Sequence, residues 1–236
     1  CSGSTTLSSV LYTTGVYYAW NGCLQYHDYP TYNQTKYTLT AITSKFLSNV
    51  PNRVKLGLDD EFNLGFLQVE GNKAKTLVIK TYSSSGLIGT YTLTNPFYSI
   101  SPPPDTDELY ISIPTGPNNI NGITFLMSPA VTQPIINSNV KYYTVQILDN
   151  GSNTISQIKR FDVNLKCSKF NRYSFHWLNT LGQFDSYSFT LKSFINTSIG
   201  RTSYTKNLHT DYSVGDRGDS VISIDAKGSY LVNSDW

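Results

Sequence analysis

The sequence predicts an all-β protein of the β-sandwich or jelly-roll type, either one large domain or two packed β domains. Three observations carry this prediction. Short runs of β-branched and aromatic residues recur along the 236 residues. Polar turns rich in Gly, Asn and Pro separate them. No segment holds a convincing helical period over three turns.

The first strand-like stretch is 7–20, LSSVLYTTGVYYAW, which Gly15 divides into two short pieces. A Tyr-rich ordered loop follows, in which Tyr26, Tyr29 and Tyr32 are spaced by polar residues and Pro30. These three rings either cover an edge of the core or form a surface for a sugar or a protein partner, and the first reading is preferred. Strands are then predicted at 36–42, 53–58, 62–69, 76–82, 90–94, 109–113, 123–127, 142–148 and 154–165. A weak helical pattern at 40–47 carries too much Thr and Ser to stand unaided. Pro102, Pro103 and Pro104 remove three successive backbone N–H groups, so that stretch is an edge or a loop. Gly116-Pro117-Asn118-Asn119 reads as a turn. The polar turn 150–153 is either a boundary between an N-terminal β domain, 1–152, and a C-terminal one, 153–236, or a hairpin tip inside a single domain.

The sharpest pattern lies at 160–194. Tyr173, Phe175 and Trp177 alternate with Ser174 and His176, and after a polar turn through Asn179 and Gly182 the alternation resumes from Phe184. This is a hairpin signal, with Trp177 and Phe184 expected in the core and Asn179, Gly182 and Asp185 shaping the turn. Beyond it, Tyr204 precedes a polar loop, a strand at 221–225 and a last strand at 229–232.

Composition narrows the function classes. Hydrophobic residues make up 39% of the chain and charged ones 14%, against roughly 25% charged in an average soluble protein. With 18 Tyr and 11 Phe the chain has the means to build a core, which excludes a disordered polypeptide. A net charge of +2 without a Lys/Arg cluster gives no footprint for nucleic acid or an anionic membrane. No apolar run approaches the roughly 20 residues that a membrane-spanning helix requires, and no basic-then-apolar leader is present.

Three cysteines, Cys1, Cys23 and Cys167, allow one disulfide at most and have no metal-type spacing; Cys23 and Cys167 read as small buried hydrophobes. A chain that starts at Cys1 is read as truncated or, if processed, as similar to the acylated start of a bacterial lipoprotein. Its end at Trp236 suggests a polypeptide that continues.

Signatures of chemistry are sparse. His27, His176 and His209 lie in different segments, without a second histidine at ligand spacing. There is no nucleophile elbow, phosphate loop or dinucleotide fingerprint. Two acidic clusters, Asp59-Asp60-Glu61 and Asp105 with Asp107 and Glu108, sit in predicted turns, where solvation and capping are preferred over calcium binding or glycoside hydrolysis. Arg217-Gly218-Asp219 matches a tripeptide that integrins read, but in a polar loop it reads as a turn. No catalytic residue, metal or cofactor is expected.

A resemblance adds to this. Cys167, the aromatic strand from Tyr173, and Trp177-Leu178-Asn179-x-x-Gly182-x-Phe184-Asp185 followed by Tyr187 and Phe189 resemble a motif of structural proteins of tailed bacteriophages. These are chiefly phages of Bacteroidetes-type hosts and marine bacteria, including crAss-like ones. The family pattern closes on Ser-Asp-Trp, matched here by Ser234-Asp235-Trp236, and departs at Gln183, where a second turn glycine is expected. The resemblance covers the last third of the chain. It implies a virion protein of the tail or neck, homo-oligomeric, with other virion subunits as partners and assembly as its work. The rival expectation is a glycan-binding or adhesive lipoprotein on a bacterial outer surface, anchored by Cys1, with Tyr26, Tyr29 and Tyr32 facing a host-surface glycan.

Overall fold

A computed structural model of the protein describes residues 27, 30, 32–67, 74–95, 110–165, 169–207, 210–211, 213 and 218–233. The strand pieces expected at 7–20, the three cysteines, Tyr26, Tyr29, His209, Arg217, the proline run with Asp105, Asp107 and Glu108, and the closing Ser234-Asp235-Trp236 lie outside the described residues.

The fold is all-β, as the alternation predicts. Five strands form the main sheet: β1 (Arg53–Leu56), β3 (Thr76–Tyr82), β4 (Leu87–Thr94), β6 (Tyr142–Leu148) and β7 (Lys159–Val163). Their spatial order is β1-β7-β6-β3-β4, antiparallel throughout except for the parallel pair β1 and β7. A second, two-stranded sheet joins β2 (Asn63–Leu67) to β5 (Tyr110–Pro114). Two hairpins follow: β8 (Tyr173–Leu178) with β9 (Phe184–Phe189), and β10 (Phe194–Thr205) with β11 (Asp219–Leu231).

The core lies between the five-stranded sheet and β2–β5. Along β6, Tyr143, Val145 and Ile147 are buried and their neighbours half-buried, the period of two that one covered sheet face requires. Facing them, Leu64 and Phe66 come from β2, and Ile111 and Ile113 pack in from β5. Phe161 sits at the centre, edge-on to Phe62 at 5.3 Å and stacked on Tyr143 at 4.9 Å between centroids. The Tyr143 hydroxyl donates to the Thr115 carbonyl at 2.7 Å, which satisfies its polar end inside an apolar layer. On the other side of the sheet, Tyr82 stacks on Tyr142 at 4.6 Å, and the Arg160 guanidinium lies 3.8 Å from the Tyr142 ring centroid.

Several elements differ from the sequence expectation for local reasons. At 36–42 the chain forms a 3₁₀ turn, Gln34–Tyr37, because the Asn33 side chain accepts from Thr35 N at 3.0 Å and starts a helical turn; only Thr38 joins a sheet, by a bridge to Leu67. The expected turn at 116–119 opens a short helix, α1 (Pro117–Gly122), with Pro117 in the first turn, where its missing N–H costs nothing. The strand expected at 123–127 is a second 3₁₀ turn, Thr124–Leu126, that buries Thr124 and leaves Phe125 and Leu126 exposed. Strand β7 starts later than expected, since residues before it fold back: Thr154 bridges Leu148, and Ser156 Oγ accepts from Ile147 N at 2.8 Å. The turn at 150–153 therefore returns the chain to the same sheet, and the division at 152/153 falls inside it. The two strands expected at 221–225 and 229–232 are one, running through Gly228.

Candidate functional site

Two places gather the residues that the sequence singles out: the turn of β8–β9, and the ribbon of β10–β11. In the turn, Asn179 N donates to the Gln183 carbonyl at 2.8 Å and Gly182 N to the Asn179 carbonyl at 3.1 Å. Gly182 has a φ of 82°, a region where a side chain is strained. Asn179 Oδ1 accepts from Leu181 N at 2.9 Å and Gln183 N at 3.1 Å, so the side chain closes the loop from within.

The same turn docks on the body through buried polar groups. Asn179 Nδ2 donates to the Leu47 carbonyl at 2.9 Å and to Asp185 Oδ2 at 2.8 Å. The fully buried Asp185 carboxylate also accepts from Ser48 Oγ at 2.6 Å and Asn49 N at 3.0 Å. Its charge is thus met by three donors from two separate segments, the condition under which a buried carboxylate is tolerated. Behind it, Lys159 is buried, donates to the Val50 carbonyl at 3.1 Å and lies 5.8 Å from the Phe62 ring centroid. Burial pulls the Lys159 amine down to about 8, with the Asp185 charge opposing the shift.

Gln183, the departure from the phage pattern, is buried rather than a free turn residue. Its Oε1 accepts from the Tyr110 hydroxyl, and its Nε2 donates to Ser112 Oγ at 3.2 Å, joining the turn to β5. Burial raises the Tyr110 hydroxyl above its ordinary value. The room for Gln183 comes from Gly65 in β2, where a Cβ would stand 2.4 Å from Oε1. An isolated glycine inside a strand signals such a close approach, and Gly65 was the one sequence clue to this contact.

Trp177 and Phe184 are not core residues. They are 42% and 54% exposed, and the register explains why they cannot share a role: Trp177 pairs with Asp185 while Phe184 pairs with Leu178, on opposite faces of the hairpin. The buried residues of β9 near the turn are instead the polar Asp185 and Ser186, one on each face of the hairpin. Leu178 is exposed as well, and His176 contacts Ser186 Oγ through Nδ1 at 2.7 Å on the exposed strand β8.

Tyr32, the described member of the tyrosine loop, stacks on Tyr37 at 5.8 Å and packs on the cluster of Leu47, Leu67 and Leu181. One face of its ring is therefore occupied by its own chain. Of the acidic clusters, Asp60 is buried and holds a turn, accepting from Gly57 N at 2.7 Å and from Arg172 Nη1 at 3.1 Å. The Arg172–Asp60 pair borders a cavity of about 330 Å³ between β1 and the β8–β9 hairpin, also lined by Arg53, Lys55, Asp162 and Tyr187. Asp162 is itself paired with Arg53 and with Arg160, the latter at 2.9 Å. Both carboxylates of the cavity are thus committed to arginines. No group of three or more metal-ligating side chains occurs among the described residues, and no helix there is long and apolar enough to cross a membrane.

The ribbon is built differently. Strands β10 and β11 run for 12 and 13 residues, and all of β10 and nearly all of β11 is exposed. Directly paired residues share a face, so Ile195 with Tyr230, Ile199 with Ala226, and Arg201 with Ile224 form one side. Asn196 with Ser229, Ser198 with Lys227, and Gly200 with Asp225 form the other. Apart from Phe194 with Leu231 at the base of the second face and Thr197 and Arg201 on the first, one face is apolar and one polar, and the apolar face is exposed. A contact between the Tyr173 and Tyr230 rings at 5.7 Å and a hydrogen bond from Asn233 Nδ2 to the Lys192 carbonyl at 2.5 Å tie its base to β8 and the preceding loop.

Comparison with protein-family models gives no match for this chain, and comparison with curated proteins gives none.

Proposed function

We propose that the protein is a structural subunit of a tailed-phage virion, in the tail or neck, that works by protein–protein contact within a homo-oligomer. The observation that carries the assembly reading is the β10–β11 ribbon, whose strands alternate as if one face were buried. Two-stranded ribbons are marginal in water without a partner layer, and contiguous exposed apolar surface marks contact sites. The virion reading draws on the motif from Cys167 to Phe189, and its expected partners are other virion subunits.

The glycan-binding lipoprotein reading has less behind it, because the Tyr32 ring rests on Tyr37 and on leucines of its own chain. The test is immunogold electron microscopy with antibodies raised against the purified chain. The proposal expects ordered labelling of the tail or neck of phage particles. Labelling confined to a bacterial outer surface would overturn it.

A further inference from the structure

The β10–β11 ribbon leaves three features unused within its own chain. Among the described residues β11 pairs only with β10, which leaves its outer edge open there. Asp225 and Lys227 stand two residues apart on the polar face, opposite Gly200 and Ser198, and neither has an ion-pair partner among the described residues. Gly228 interrupts the strand although a Cβ there would meet nothing within 4 Å. Long open edges are usually blunted by bulges, prolines or inward charges because they template pairing, and a strand glycine with no local cause points to something that approaches from outside.

We propose that β11 pairs antiparallel with β11 of a second copy of this chain, about a two-fold axis at Ala226. The inference rests on the assembly reading above and names its partner and register. In this register Asp225 lies opposite the partner's Lys227 and, by symmetry, Lys227 opposite the partner's Asp225, on the same face. Ile224 lies over the partner's Gly228 and Ser223 beside the partner's Ser229; beyond that point β11 bulges at Ile222, since Thr202 pairs with Ser223 and Ser203 with Val221. Regular pairing extends from Ser223 to Ser229, roughly 23 Å at about 3.3 Å per residue.

The alternatives are poorer. An axis at Ser223 would pair Asp219 with the partner's Lys227 but set Asp225 beside Val221 and use less of the strand. Pairing through β10 finds no charge complement, because Arg201 is its only charged residue. Joining β10 of one copy to β11 of the next is head-to-tail and need not close, whereas the β11–β11 contact is isologous and does. The product is a four-stranded sheet, β10-β11-β11-β10, whose apolar sides merge into one face.

Sedimentation velocity on charge-reversed variants tests this. The wild-type chain is expected to dimerise. Asp225→Lys and Lys227→Asp each place like charges together at both symmetry-related positions, and each weakens dimerisation at least tenfold. An equimolar mixture of the two single variants regains the dimer, since each supplies the complement of the other, and so does the double variant Asp225→Lys/Lys227→Asp. A mixture that stays monomeric overturns the register. So does a wild type that is monomeric at every concentration. An oligomer indifferent to all these reversals also overturns the register but leaves the assembly reading standing, and particle labelling decides that reading separately.

Discussion

Two antiparallel hairpins follow one another near the end of this chain, and they solve the same problem in opposite ways. The β8–β9 hairpin has six residues in each strand and is fixed through its turn, where Asn179, Gln183 and Asp185 exchange hydrogen bonds with Leu47, Ser48, Asn49, Tyr110 and Ser112. The β10–β11 ribbon is about twice as long, yet among the described residues the side-chain contacts that tie it to the body lie at its base. The difference teaches that apolar alternation does not by itself seat a hairpin on its own chain. A few buried polar groups, each satisfied from a distant segment, fix position and register, while an apolar face with no such anchor remains for another surface to cover.

The largest expected effect breaks the anchored side of the comparison. Asp185→Ala strands the Ser48 hydroxyl and the Asn49 amide without an acceptor, leaves the Asn179 side-chain amide with only the Leu47 carbonyl, and should cost about 4 kcal/mol in urea unfolding. A loss under about 1 kcal/mol would show that the turn does not hold the hairpin.

Next in size is a pH effect centred on Lys159, beneath the same turn. Its amine titrates near 8 in the fold and near 10.4 in an unfolded chain, so between those values the unfolded state binds a proton that the native state does not. Stability should therefore rise with pH across that window, by about 3 kcal/mol at most, and Lys159→Met should flatten the rise. Tyr143 acts in the opposite sense above pH 10: burial raises its hydroxyl well above the ordinary value, the native state keeps the proton longer, and stability falls. Urea unfolding measured from pH 7 to 11 should thus climb and then turn over.

Gln183→Ala removes the link from the turn to Tyr110 and Ser112 and leaves a gap beside Gly65, at an expected cost of about 2 kcal/mol. The smallest effect sharpens the comparison from the other side. Ile224→Ser, on the open face of the ribbon, should alter unfolding of the dilute chain by less than about 0.5 kcal/mol, as exposed substitutions do.

How much of this was legible from sequence depends on the residue. Alternation was enough for β3 and β6, whose bounds at 76–82 and 142–148 are those observed, because each buries one regular face or both. It failed at 36–42 and 123–127, where apolar and β-branched residues matched the period but Asn33 capped a 3₁₀ turn in the first case and the chain ran from α1 straight into another 3₁₀ turn in the second. It also misplaced Trp177 and Phe184. Aromatic residues beside a turn read as core, but the residue buried there was Asp185, whose partners Ser48 and Asn49 lie too far away in sequence to be foreseen. Gln183 stood out as a missing turn glycine, whereas Gly65 passed unremarked inside the strand expected at 62–69, and the two meet in a single contact. The ribbon was hidden by Gly228, which splits β11 into two apparent strands although the backbone continues through it.

The central claim, that one hairpin is anchored and the other awaits a second copy, is tested most directly by amide hydrogen exchange followed across protein concentration. The β8–β9 amides should be protected to the same degree at every concentration, while those of β11 slow as the chain passes from monomer to dimer. Protection of β11 that is already full and constant in the dilute monomer, or a β11 edge that exchanges freely at every concentration, would contradict it.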